Sequence, residues 1–344
     1  MLGTGQYILE ERVLGEKLVF KLNREWWGYD PVICGGTPIA EPNMGFDTVT
    51  VLPITEEATR MAMLLSGEAD AIHSLNYNNM DVIEAGGFAP LTESGVMVAF
   101  LYLNTQKGAT ADLRVRQAIA MSIDYDLLNE VVYGNRYLRG RSVNTPSINY
   151  YSEQPLYPVD LAKAKALLAE AGYDKGLTLT LWSQNDNTDI ARAEFIQQQL
   201  SQVGVTVKVN TLEGGFLSEN VNNYSGKPED TEWDIYVRGY SVSSRDSDGS
   251  LGRFSSQAFP PKGANFPFYK NDRFDELVKA GASTTDSAKR AEYYAEAQSL
   301  IWNDFACVPM LIAMYTGATN PKTVEGLWYS GGGEIMFTHG RYVR

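Results

Sequence analysis

"LTLTLWSQNDNTDIARAEFIQQQLSQVGVTVKVNTL", residues 177–212, decides the fold. Leu177, Leu179 and Leu181 alternate with threonines, the period of a strand with two unlike faces. A helical run extends from Asp189 to Val203, and Gly204 stops it. Val205, Val207 and Val209 then alternate with polar residues in "VTVKVNTL" (205–212), a second strand. Strand, helix, strand is a β-α-β unit, and a turn and short helix carry it on to a further strand, "WDIYVRGY" (233–240).

Reading outward, the same grammar repeats. Asp160 caps "LAKAKALLAEAGY", with Leu161, Ala164, Leu167, Leu168 and Ala171 on one stripe and Gly172 as the stop. Asp112 and Asp124 cap two earlier helices. "VMVAFLYLN" (96–104) is apolar at successive positions, as in a strand covered by helices on both faces. Upstream, "FDTVTVLP" (46–53), a helix capped by Thr55 and "ADAIHSL" (69–75) read as another β-α-β unit. Tyr7–Val13 and Lys17–Leu22 read as two strands joined at Gly15-Glu16. Residues 135–158 and 241–272 read as loops, and the second is long enough to be either functional or mobile. A helix from Asp286 and an apolar strand at 307–316 follow, then a Gly-rich tail. The expected architecture is two α/β units, with the chain crossing near 103–110 and returning near 306–316. A gap between two such lobes is the default place for a ligand.

Composition narrows the function. The 344 residues carry 29 basic and 42 acidic side chains, a net charge of −13. That argues against a nucleic-acid partner, which wants a positive field. Two cysteines, Cys34 and Cys307, lie far apart, and pairing between them is left open. With two histidines, His73 and His339, a His/Cys metal site has little to draw on, and His73 is expected to be structural. No run reaches the roughly 18 apolar residues that span a bilayer. "MLGTGQYILEER" has neither a basic start nor an apolar core of the signal-peptide kind. No Walker loop or nucleophile elbow is present. "DSDG" (246–249) fails as a calcium loop, because position twelve is Gln257 rather than Glu. Trp26, Trp27, Trp233 and Trp302 are expected in cores. No cofactor is expected.

Several stretches resemble the family 5 extracellular solute-binding proteins, the dipeptide, oligopeptide and nickel binders of ABC importers. They are "GTGQYILEERVLGEKLVFKLNREWWG" (3–28), "LLSGEADAI" (64–72), "LYLNTQKGATADLRVRQAIAMSIDYDLL" (101–128), "YPVDLAKAKALLAEAGY" (157–173) and "WDIYVRGYSVSSRDSDG" (233–249). Each is weak alone; their order and spacing over nearly the whole chain are specific. The resemblance implies a two-lobed α/β clamp of the type II periplasmic-binding-protein kind. One lobe would comprise 1–105 with 312–344, incomplete for want of an N-terminal region, and the other 106–311. It also implies a location outside the cytoplasm, a membrane permease as partner, association with the missing N-terminal region, and no catalytic step.

The resemblance places the ligand near residues 238–250. Tyr240 stands where peptide binders of the family carry a Trp near the ligand, and Ser243 stands where they carry an Asp that holds the α-ammonium group. A hydroxyl cannot pair with an ammonium charge as a carboxylate does, which argues against simple capture of a free-amino dipeptide there. Arg245 is set to meet an anionic group by a bidentate pair, or else to pair with Asp246 or Asp248 and fix the loop. Arg192 lies near the position of the family's carboxylate-holding Arg, one or two residues out of register. Arg114 and Arg116 are expected to be structural. Tyr150, Tyr151 and Phe268 either line the ligand gap or pack loops. The candidate ligand-binding set is therefore Tyr240, Ser243, Arg245, Asp246, Arg192 and Phe268. A short peptide or related small polar solute is the expected ligand. A hydrolase using cleft carboxylates, and a sensing or interaction module, remain as alternatives.

Overall fold

The computed structural model describes residues 3–42, 44–75, 79–241, 245–330 and 333–343. The chain divides into two compact units, residues 1–93 with 314–344 and residues 94–313.

The first unit opens on a three-stranded antiparallel sheet, β1 (Tyr7–Val13), β2 (Lys17–Leu22) and β3 (Thr48–Val51). Helix α1 (Glu57–Ser66) follows, and Gly67 ends it in the left-handed conformation that a residue without a Cβ tolerates best. Its N-cap is Glu56, one residue later than expected, and no side chain caps it. β4 (Ala71–His73) pairs with the chain's late strand and not with β3. The expected β-α-β unit at 46–75 is therefore not one unit, because α1 connects strands of two different sheets. Alternation identifies a strand but not its partner, and β3 finds its ladder on β2, from Leu18↔Val51 to Lys21↔Thr48. α2 (Met80–Ala85) closes this part, burying Met80 and Ile83 beside Leu64 and Ile72. Trp26 is buried, but Trp27 is 42% exposed, against the expectation of core, with its indole donating to the carbonyl of Thr4 at 2.8 Å.

The second unit is built on one sheet. β5 (Ala89–Leu103) carries the chain into it, α3 (Leu113–Met121) and α4 (Tyr125–Tyr133) follow, and β6 (Tyr137–Arg139) is short. Asp112 and Asp124 cap the two helices by accepting from the amides of Arg114 and of Asp126 and Leu127. Next come α5 (Leu161–Glu170), β7 (Leu177–Gln184), α6 (Asn187–Ser201) and β8 (Val205–Leu212). β7 and β8 pair in parallel from Leu177↔Val205 to Gln184↔Leu212, the β-α-β unit read from the sequence. A short α7 (Gly214–Leu217) runs into a π-helical turn, Ser218–Asn222, and then β9 (Ile235–Ser241). β9 lies parallel to β7 and antiparallel to β5. The supposed loop at 241–272 contains α8 (Ser247–Gly252) and leads into α9 (Asp272–Ala282), which is followed by α10 (Ser287–Asn303). The first part of β10 (Cys307–Thr319) completes the unit, giving the strand order β10-β5-β9-β7-β8 with β6 on β10. Its far end, Gly317–Thr319, pairs β4 within the first unit.

Side-chain alternation sorts the core into two layers. Ala99, Leu101 and Leu103 of β5, with Ile235 and Val237 of β9, join Val115, Ile119, Leu128, Leu168, Ile196 and Leu200 from α3 to α6. Val98, Phe100 and Tyr102, with Tyr236, join Leu251, Phe254, Phe266, Phe274, Tyr294 and Ile301 on the opposite face. A sheet covered by helices on both faces needs apolar residues at successive positions, and "VAFLYL" meets that need. Burying each Leu, Ile or Phe fully stabilises by about 1.5–3 kcal/mol. Cys307 is wholly buried in the second layer and Cys34 is half-buried, and both are free thiols in this structure.

Candidate functional site

β9 positions the site. Its period of two points Tyr236, Arg238 and Tyr240 to the aromatic layer, while Ile235 and Val237 face the aliphatic one. Near its carboxyl end lies a pocket of about 370 Å³, lined by Asn222, Arg238, Gly239, Tyr240, Ser241, Gly263, Ala264 and Phe266. The carboxyl ends of parallel strands are where open α/β sheets bind ligands. The pocket is lined by two aromatic residues, one guanidinium, one side-chain amide and the hydroxyl-bearing Tyr240 and Ser241, a few polar groups set in apolar walls. Arg238 donates through Nη1 to Asn222 Oδ1 and to the hydroxyl of Tyr236, both at 3.2 Å.

Two devices hold the 254–269 segment that forms one wall. Asn265, wholly buried, donates to the carbonyls of Phe254, Ser255 and Tyr269 and accepts from the Tyr269 amide, each at 2.9 Å. Gly263 passes so close to Ala258 that a Cβ there would lie 2.7 Å from its carbonyl oxygen.

The expected site residues disperse around this pocket. Tyr240 is on its wall. Ser243 lies outside the described residues. Arg245 is exposed, and its carbonyl accepts from the Asn149 amide at 2.8 Å. Asp246 caps α8 and pairs with Arg290 at 2.7 Å, so that carboxylate is already engaged. Arg192 is buried on α6, where it pairs with Asp189 and donates to the Tyr133 hydroxyl at 2.9 Å. Burial pushes the Asp189 carboxyl up to about 6, against the opposing pull of Arg192. Phe268 is 1% exposed and stacks on Trp233, with ring centroids 5.8 Å apart, so of its two readings the fold adopts loop packing. Tyr150 packs on Tyr294 and covers part of the aromatic layer. Arg114 pairs with Asp112 at 2.6 Å, and Arg116 donates to the carbonyls of Thr110, Ala111 and Asp304, structural roles as expected.

Asn222, Gly263 and Phe266 lie outside the 238–250 segment expected to border the ligand, and Arg238, at its start, is not singled out by any motif. Alternation along β9 places Arg238 on the face of Tyr240, a signal that was available. The approach of 218–222 and 263–266 depends on tertiary packing and leaves no local mark. His73 takes the structural part expected of it, its Nε2 2.6 Å from the Gly333 carbonyl and its ring edge-on to Tyr329. It also borders a pocket of about 350 Å³ within the first unit, with Glu57, Ser74, Leu75, Met314, Tyr315 and Thr316. No group of three metal-ligating side chains occurs among the described residues.

A family model described as "Bacterial extracellular solute-binding proteins, family 5 Middle" matches residues 1–260. The chain belongs to this family. The glutathione-binding protein GsiB of Salmonella typhimurium is 30% identical over 285 residues, 82% of this chain and 55% of that protein. The Escherichia coli GsiB is 29% identical over the same length. The chain thus spans about half the length of the curated relatives it matches. Among solved structures, HbpA2 from Haemophilus parasuis superposes with a TM-score of 0.86 at 24% identity, covering 99% of this chain and 64% of that one. The periplasmic binding protein DppA from Helicobacter pylori, in complex with the peptide STSA, superposes at 0.67 with 26% identity, over 98% and 63%. The mixed α/β fold is shared with both structures, and GsiB and DppA are binding proteins by name.

Proposed function

We propose that this solute-binding family member serves as the receptor of an ABC importer outside the cytoplasm. It captures a short peptide or related small polar solute at the carboxyl end of β9, presents it to a membrane permease and performs no chemistry on it. The observation that supports the reading is the pocket itself: aromatic faces from Tyr240 and Phe266 with a few polar groups from Arg238, Asn222 and Ser241, three of these residues belonging to the 238–250 segment expected to border the ligand. The names of the relatives, glutathione-binding and peptide-complexed, support a peptide-sized solute. Among the described residues no helix is long and apolar enough to cross a membrane.

A ligand that binds only the folded state raises the melting temperature by mass action. The test is a thermal-shift panel of di- and tripeptides, glutathione, sugars and metal chelates, followed by calorimetry of any hit. A peptide-sized hit that Tyr240→Ala weakens at least tenfold, with the fold intact, supports the proposal. Binding unaffected by that substitution, or turnover of the hit, overturns it.

A further inference from the structure

Ser74 follows β4 and stands at a φ of +56°, in the left-handed region that a side chain seldom allows. Its surroundings hold it there. Arg60 donates to the carbonyl of Ser74 at 2.8 Å, to that of His73 at 3.1 Å, and to those of Ile54 and Thr55 at 2.9 and 2.7 Å. The next residue is tied twice: the Leu75 amide donates to the Thr316 carbonyl at 3.0 Å, and the Thr316 hydroxyl donates to the Leu75 carbonyl. Backbone strain that the fold upholds in this way clusters at functional positions.

The contact that fixes His73 also sets its tautomer. A carbonyl only accepts, so in the neutral ring Nε2, 2.6 Å from the Gly333 oxygen, carries the proton. Nδ1 is then a lone pair, and the Ser74 hydroxyl donates to it. A Cβ on Gly333 would lie 2.5 Å from the Tyr315 ring, so glycine is what lets this carbonyl approach. The Tyr329 ring meets the imidazole edge-on, with centroids 5.6 Å apart. Hydroxyl, imidazole and orienting acceptor stand in series, the arrangement that activates a serine. Ser74 and His73 are both exposed, and both border the pocket of about 350 Å³ with Glu57, Tyr315 and Thr316. All these residues belong to the first unit. The glycines of a nucleophile elbow are absent around "AIHSL" (71–75), and the strained turn is held without them by the bonds from Arg60 and to Thr316.

We propose that Ser74 is a nucleophile, with His73 as its general base, that accepts an acyl group from a small activated ester held in this pocket. Ser74 Oγ bonds to the acyl carbon as its proton passes to His73 Nδ1. The bond from that carbon to the leaving oxygen then breaks, and the leaving oxygen takes the proton from Nδ1. The products are O-acylated Ser74 and a free alcohol, and the imidazole ends neutral as it began. While the ring is charged, its bond from Nε2 to the Gly333 carbonyl becomes the stronger, charge-assisted kind. The inference goes beyond the solute-binding reading and does not depend on it, because it concerns a different pocket and leaves the captured solute unchanged.

The test is acetylation of the whole chain by p-nitrophenyl acetate, followed as p-nitrophenolate release and mapped by peptide mass spectrometry. Ser74 is expected to acquire the acetyl group faster, by about tenfold or more, than Ser66, an exposed serine whose hydroxyl donates to the Met63 carbonyl instead. His73→Gln should slow the reaction at Ser74 by about 100-fold, the share a positioned base contributes. Ser74→Gly should abolish it while folding as the parent does, because glycine accepts a positive φ. Ser74 and Ser66 are compared within the parent, so that arm stands even where His73→Gln folds poorly. Equal labelling of the two serines, or a Ser74 rate that a folded His73→Gln leaves unchanged, overturns the proposal. Neither outcome bears on solute capture at the β9 pocket.

Discussion

Asn265→Ala tests whether the pocket wall is built rather than incidental. Asn265 has no exposed surface, and its amide makes four contacts of 2.9 Å that tie Phe254, Ser255 and Tyr269 together. Alanine removes them all and leaves the Tyr269 amide and the Phe254 and Tyr269 carbonyls without the Asn265 side chain, while the Ser255 carbonyl keeps the Ala258 amide. At about 1 kcal/mol net per hydrogen bond, and more where a buried group is left unsatisfied, the loss should be about 3–5 kcal/mol. That is a large share of the roughly 5–15 kcal/mol that holds a folded protein together. Urea unfolding read by far-UV circular dichroism gives the figure from the midpoint at constant m. Gly263, Ala264 and Phe266 flank Asn265 in the pocket lining, so solute affinity should fall in the same variant. Asn265→Asp is expected to be no better, because it sets a carboxylate oxygen against the three carbonyls. A loss under about 1 kcal/mol with unchanged binding would refute the claim that this residue sets the wall.

Further outcomes are expected elsewhere. Gly263→Ala, whose Cβ would lie 2.7 Å from the Ala258 carbonyl oxygen, should destabilise by about 1–3 kcal/mol in the same denaturation assay. Asp189 should titrate near pH 6 when followed by carboxyl-carbon NMR, since burial raises it to about 6. Its folded value exceeds the unfolded one, so its contribution to stability is fully present below about pH 4 and is lost as the pH rises through about 6. A melting-temperature profile of the parent, set against one in which Asp189 is Asn, reads that slope. A thiol reagent at neutral pH should label Cys34 in the native protein and spare Cys307, which is buried with its thiol pushed up to about 12. Both should react in denaturant without reductant; failure of both to react would indicate a disulfide.

What the sequence made legible was the part governed by local periodicity. Residues 177–212 gave strand, helix and parallel strand, because Gly204 and the alternating valines are local signals. Asp112, Asp124 and Asp160 are recognisable as caps and act as such. Strand partnership was not legible: Val49 and Val51 alternate equally well whichever ladder they join, and β3 pairs β2. α9 carries local marks too, with Asn271 as cap, Asp272 and Asp275 in the first turn, and Phe274, Leu277 and Val278 on one face. The Ser- and Pro-rich sequence before it hid the start. Tyr240 was found through a family resemblance. Asn265 looks like any loop asparagine until its four contacts are seen.

The most direct test of the central claim is a crystal structure of the chain with a solute taken from the binding panel. The account predicts solute density against Tyr240, Arg238 and Asn222 at the end of β9. Density instead beside His73 and Tyr315, with the β9 pocket empty, would contradict it.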